Sequence, residues 1–291
     1  MSYSDALKHI QQLIRSTEEL AALGALARVK SANLVCAENL ESALTQVMTI
    51  RDPLFFDDLR TEELTFLGAT ALGNLRRLTD LVEQPATAGQ WNYTDPTVLE
   101  AQGQSSRAVT RFLTRHAQQD QDLFDILERG EPFLDVGSGV GWISISMAQQ
   151  WPKLYVDGVE VFEPALQRAV QNRDQSGVAD RVTFLHQSIC DLDKESRYGA
   201  AFVPLMFLSE EVIRAALPRL RRSIRRGGML FVAVYTLPDD PMIAALNTLQ
   251  TAMSGGRVWT EDELKSLLAD AGFTLEQNVS PDTPLNIYKA I

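Results

Sequence analysis

The residues with most to offer chemically lie in Phe133-Leu134-Asp135-Val136-Gly137-Ser138-Gly139-Val140-Gly141-Trp142. An apolar run ends in glycines at alternate positions, and a helix-forming stretch follows. Glycines at such a turn permit positive φ and let backbone amides approach a bound group closely. Two phosphate-binding readings fail here. A dinucleotide fingerprint needs Gly or Ala where Trp142 stands, and no Gly-Lys-Ser/Thr follows as a Walker loop requires. About 20 residues further on, near the spacing used for ribose recognition, Val156-Asp157-Gly158-Val159-Glu160-Val161 ends a second apolar run in a carboxylate.

Other candidates carry blander readings. His186 lies within the apolar run Arg181–Gln187 and reads as a buried, hydrogen-bonded histidine. Arg214, Arg219, Arg221, Arg222, Arg225 and Arg226 could form a basic patch, but they fall near a helix C-terminus, where cations offset the helix dipole. They also precede a strand, which puts them opposite the carboxyl-end crevice of a parallel sheet. Phe55 and Phe56 read as core of a helical region. Trp91 and Tyr93 sit in a loop and could line a pocket. Trp142 and Trp151 read as packing.

The elements that must position these residues fall into two textures. Over residues 4–80 apolar residues recur at helical spacing, as in Ala6, Ile10, Leu13 and Ile14. Residues 84–96 read as a loop and 97–128 as helical. From 132 onward, β-rich runs (132–136, 154–160, 181–187, 200–205, 229–235) alternate with helical ones (142–150, 164–176, 210–224, 241–253). That alternation predicts parallel strands joined by right-handed crossovers. Thr260-Glu261-Asp262-Glu263 is a capping-box sequence, and Gly272 should stop its helix. Two last runs, 273–279 and 285–290, predict a hairpin-like ending. The expected architecture is α/β, a doubly wound and mostly parallel sheet with an antiparallel terminal strand, preceded by an all-helical cap. The domains expected are 1–125 for the cap and 126–291 for the sheet.

Composition excludes several classes. The chain has 291 residues, 45% of them apolar and 22% charged, enough for a large core. Its net charge of −11 gives no global support for binding nucleic acid. No membrane-length apolar run or secretory leader is evident. Two cysteines, Cys36 and Cys190, and three scattered histidines, His9, His116 and His186, offer no metal cage. A cytoplasmic protein without metal is expected.

Four segments together resemble the class I S-adenosylmethionine-dependent methyltransferases: Asp135–Gly141, Val156–Val161, Arg181–Ile189, and Gly227-Gly228 leading into 229–235 with the terminal hairpin. The resemblance covers about 130–291. It implies S-adenosyl-L-methionine as cofactor, with Gly137, Ser138 and Gly139 under its methionine part and Asp135 towards its ammonium group. Glu160 would accept from both ribose hydroxyls, and Val161 would pack on the adenine. Ser188 stands where many relatives carry Asp, which leaves the Ile189 amide as an alternative adenine donor. Leu205 completes the expected cofactor set.

The segment Val203-Pro204-Leu205-Met206-Phe207 lacks the Asn/Asp-Pro-Pro-aromatic signature of many base and protein-amide methyltransferases. No His-Asp pair follows the fifth strand, as it does in many phenolic O-methyltransferases. Met206 and Phe207, with Trp91 and Tyr93, are the acceptor-binding candidates, and Tyr93 is the one catalytic candidate. The reading is methyl transfer to a small molecule, with a homodimer through the helical domain possible and no nucleic-acid or membrane partner. Two alternatives stay open: cyclisation of the cofactor's own aminobutyryl chain with release of methylthioadenosine, and a non-catalytic cofactor-binding partner.

Overall fold

A computed structural model describes residues 3–51, 56, 58–84, 93–235, 237–280 and 285–291. Trp91 and Phe55 lie outside the described residues. Two compact units emerge, Met1–Glu83 with Asp95–Ser105, and Gln84–Thr94 with Ser106–Ile291.

The first unit is helical, with α1 (Tyr3–Ala32), α2 (Glu38–Arg51), α3 (Thr61–Glu83) and α4 (Pro96–Ser106). Its core is built from small and aliphatic residues, among them Ala22, Leu26, Ala27, Leu64, Ala71, Val98 and Ala101. A Cβ on Gly24 would lie 2.6 Å from that of Ala71, so α1 and α3 approach closely only because no side chain intervenes. Phe56 is half-buried.

The second unit begins with α5 (Ala108–Ala117) and α6 (Gln121–Glu128). The sheet then alternates with helices: β1 (Phe133–Val136), α7 (Trp142–Gln150), β2 (Val156–Glu160), α8 (Glu163–Gln175), β3 (Val182–His186), β4 (Tyr198–Pro204), α9 (Glu210–Ser223), β5 (Ile224–Tyr235), α10 (Pro241–Met253), α11 (Glu261–Asp270), β6 (Leu275–Asn278) and β7 (Leu285–Ala290). The strand order is β3-β2-β1-β4-β5-β7-β6, and only β7 runs antiparallel to its neighbours. This is the doubly wound sheet expected. β1, β2 and β4 are buried along their whole length, because helices cover both faces. α11 carries the capping box, with Thr260 N donating to Glu263 at 2.9 Å and Glu263 N to the Thr260 hydroxyl at 3.3 Å.

The unit boundary lies near 106, about twenty residues before the expected 125/126 division. The physical reason is burial. Val109, Leu113, Ala117, Leu123, Ile126 and Leu127 pack with Phe133, Val156 and Phe231 of the sheet in one core. A buried polar cluster adds to this. Lys289 on β7 donates to Asp120 at 2.7 Å and to Glu276 at 2.9 Å, and Asp120 caps α6 through the Leu123 amide at 3.1 Å. Among the described residues His116 is the buried histidine, beside Asp120, and burial pushes its imidazole down from the ordinary range. His186 is instead exposed, because it stands at the outer end of edge strand β3.

Gly141 shows what the glycine turn requires. Its φ is +86°, and a Cβ there would lie 2.4 Å from Phe184 Cζ and 3.1 Å from Ala169 Cβ. Backbone strain and overpacking therefore add. Gly141→Ala should lower stability by about 2–4 kcal/mol, read as a reduced urea midpoint with an unchanged slope.

Candidate cofactor site

The loop between β1 and α7 lies at the carboxyl ends of the strands, beside the point where strand order reverses between β1 and β4. Gly137 and Gly139 have φ of +64° and +56°. A Cβ on either would meet nothing closer than 3.9 Å, so these two glycines, unlike Gly141, face open space. Gly137 N and Ser138 N donate to Val159 O at 2.9 and 3.1 Å. Asn172 of α8, itself buried, donates to Val140 O at 3.0 Å and holds the loop from the other side.

Asp135 is fully buried at the end of β1. One carboxylate oxygen accepts from Ser144 N at 3.1 Å and from the Ser144 hydroxyl at 2.6 Å. The other, Oδ1, has no protein partner, and neither does the buried Ser138 hydroxyl. Two unsatisfied oxygens within four residues are costly in an interior. They fit a ligand that brings hydrogen-bond donors. Burial pushes the Asp135 carboxyl up to about 7, against the opposing pull of the Ser144 hydrogen bonds.

Glu160 closes β2 with its carboxylate occupied by the backbone. Oε2 accepts from Gly139 N at 2.8 Å, and Oε1 accepts from Val161 N and Phe162 N, each at 2.8 Å. This alters the expected two-hydroxyl grip on ribose. A carboxylate offers about four acceptor sites, and three are filled. Glu160 first holds the glycine loop against the end of β2, leaving capacity on Oε2 for one further donor.

The remaining expected residues divide sharply. Val161 is 62% exposed, an aliphatic surface beside the loop. The Ser188 hydroxyl accepts from Cys190 N at 3.1 Å, capping a short 3-10 turn. The Ile189 side chain is buried. Leu205 and Met206 are buried in the two cores, so only their backbone is available; Phe207 is partly buried. His186 Nε2 lies 2.9 Å from Val161 O, tying β3 to the segment after Glu160. Tyr93 is half-buried. Three of the six arginines of the α9 region are used structurally: Arg214 pairs with Glu210, Arg221 donates to Gly272 O at 2.9 Å, and Arg225 pairs with Glu131.

Sequence reasoning missed Ser144, Asn172 and Arg107. Ser144 and Asn172 look like ordinary helix residues until the fold brings them to the loop. Arg107 Nε donates to Ser146 at 3.3 Å, and its guanidinium carbon lies 5.0 Å from the centre of the Trp142 ring.

Residues 133–228 match a family profile described as a methyltransferase domain. That segment is about a third of the chain, and the fold and loop geometry around it agree with a resemblance to the class I S-adenosylmethionine-dependent methyltransferases. The fold is shared along the whole chain with the pyocyanin biosynthetic protein PhzM (TM-score 0.66, 15% identity, 99% of each chain). It is also shared with the mitomycin 7-O-methyltransferase MmcR (TM-score 0.64, 17% identity, 99% of this chain and 98% of that one). Curated relatives align over shorter stretches at higher identity. The tRNA1(Val) (adenine(37)-N6)-methyltransferase of Porphyromonas gingivalis is 30% identical over 137 residues, 46% of this chain and 51% of that enzyme. The chain thus spans about half the length, or less, of the curated relatives it matches. No helix among the described residues is long and apolar enough to cross a membrane.

Proposed function

We propose that this protein transfers the methyl group of S-adenosylmethionine to a small, largely apolar acceptor. When bound, the cofactor supplies a methyl carbon already activated by its sulfonium leaving group. The chain's task is then to bind, orient and exclude water. Gly137, Ser138 and Gly139 would seat the methionine part, and Asp135 Oδ1 would accept from its ammonium group. Glu160 would take one ribose hydroxyl, and Val161 would lie against the adenine.

The observation that carries the acceptor class is α10. From Pro241 to Met253 it contains no charged residue, and Met242, Ile243, Leu246 and Leu249 are each at least 40% exposed. It starts beyond the carboxyl end of β5. At its far end, a Cβ on Gly256 would meet Met206 O at 2.3 Å, so that stretch is packed on the lip after β4. An uncharged apolar wall there suits a neutral hydrocarbon or aromatic face and offers phosphates nothing. The acidic balance of the chain and the structural pairing of Arg214, Arg221 and Arg225 support the same choice over the RNA acceptors of the curated relatives.

We assign acceptor binding also to the helical unit, name Tyr93 of the second unit as the candidate hydroxyl, and assign homodimer formation to the uncovered apolar positions of the helical unit. Ile10, Leu13 and Ile14 on α1, with Val47 and Ile50 on α2, support that second assignment. A chain shortened to 106–291 should keep adenosylhomocysteine binding and lose turnover. Product analysis of the full chain with S-adenosylmethionine and a panel of neutral phenols and quinones tests the reading. Adenosylhomocysteine with a methylated acceptor is expected, whereas methylthioadenosine would replace methyl transfer by attack on the aminobutyryl chain.

A further inference from the structure

The wall assigned to α10 is anchored at one end. Of the 13 residues of α10, only Thr251 and Met253 are buried, and both lie in its last turn. Its exposed apolar face therefore takes its position from the chain that follows, residues 254–260. There Gly255 N donates to Ala252 O at 3.1 Å and Gly256 N to Thr251 O at 3.2 Å, which folds the chain back on the helix end. Gly256 packs on the backbone of Met206 in the lip after β4, and Trp259 is buried in one core with Leu264 and Leu268 of α11. A single side chain clamps the stretch to both neighbouring helices. The Arg257 guanidinium carbon lies 3.8 Å from the centre of the Trp259 ring. Its Nε is 3.0 Å from Glu210 Oε2 at the start of α9, and its Nη2 donates to Glu263 Oε1 at 2.9 Å in the first turn of α11. A planar guanidinium can serve two carboxylates and an aromatic face at once.

We propose that Arg257 is a positioning residue for methyl transfer: it clamps residues 254–260 to α9 and α11 and so sets where the α10 wall stands relative to the lip after β4. The proposal rests on the acceptor reading above. The Arg257 side chain is 40% exposed, so solvent screening leaves its ion pairs little weight in global stability. Their effect is on placement. Contacts between the wall and the acceptor persist from the ground state to the transition state, so a displaced wall shows in the acceptor KM.

The test uses the full chain and the member of the phenol and quinone panel, naphthol included, that wild type methylates fastest. Arg257→Ala should raise the acceptor KM about tenfold or more, with kcat changed less than about threefold. Its adenosylhomocysteine affinity by calorimetry should stay within about twofold of wild type, and its urea midpoint close to it. Arg257→Lys, which keeps the charge but not the planar fork, should recover part of the KM and serves if the Ala variant fails to fold. Glu210→Gln should raise KM in the same direction, and adding it to Arg257→Ala should raise KM no further, because both changes open one clamp. An unchanged KM in both Arg257 variants, additive effects in the double variant, or an equal loss of adenosylhomocysteine affinity would overturn the proposal and leave Arg257 a structural residue only. If wild type methylates no member of the panel, the acceptor reading falls and takes the proposal with it.

Discussion

Glu160→Ala should weaken adenosylhomocysteine binding by roughly 30- to 1000-fold, corresponding to ~2–4 kcal/mol. Two losses combine. The variant removes the acceptor assigned to a ribose hydroxyl, and a hydrogen bond to a charged group contributes about 1.5–3 kcal/mol. It also releases the amides of Gly139, Val161 and Phe162, which Glu160 holds at 2.8 Å. The glycine loop and the adenine floor then lose their common anchor. Glu160→Gln should be nearly as damaging, because whichever way the side chain is turned, its amide nitrogen opposes a backbone N–H. Titration calorimetry of both variants checks this. Unchanged affinity in the Ala variant would remove Glu160 from the site altogether.

Asp135→Asn should stabilise the cofactor-free protein at pH 8 while weakening cofactor binding. The sign follows from burial. Unfolded, the Asp135 carboxyl ionises near 3.8; folded, it keeps its proton to about 7. Between those values the native state binds more protons than the unfolded one, so the stability associated with the protonated acid is lost as pH rises and levels off above about 7. That interval corresponds to ~4 kcal/mol at about 1.4 kcal/mol per pH unit, an upper bound for one buried group. The Asn variant should lack this slope in urea unfolding between pH 4 and 7. Cofactor affinity should move the opposite way. A bound ammonium group favours the carboxylate, so wild-type affinity should rise with pH through about 7, whereas the Asn variant should stay flat. A pH-independent wild type would place Asp135 outside ammonium recognition.

The sheet was readable because each strand is an apolar run closed by a turn signal. Gly137 and Gly139 were equally plain, since only residues without a Cβ suit that loop. β5 was harder: it begins at Ile224, but Arg225-Arg226-Gly227-Gly228 looks like a turn, and the register shifts opposite Tyr198. α5 and α6 read as part of the helical cap because amphipathic periodicity shows that a face is buried and not what buries it. The same limit applied to side chains with several possible partners. Glu160 was identified by position, but its three amides come from loops that only the fold brings within reach. The hydroxyl of Ser188 has a local partner that its position alone did not announce, the amide of Cys190. Arg107 gave no signal, being 35 and 39 residues from the partners that hold it.

The central claim is tested most directly by titrating the full chain with adenosylhomocysteine and, separately, with NAD in one calorimetric series. The account predicts saturable 1:1 binding of adenosylhomocysteine and no heat of binding for NAD, because Trp142 blocks the close helix–strand packing that a pyrophosphate turn needs. Tight NAD binding without an adenosylhomocysteine signal would contradict it.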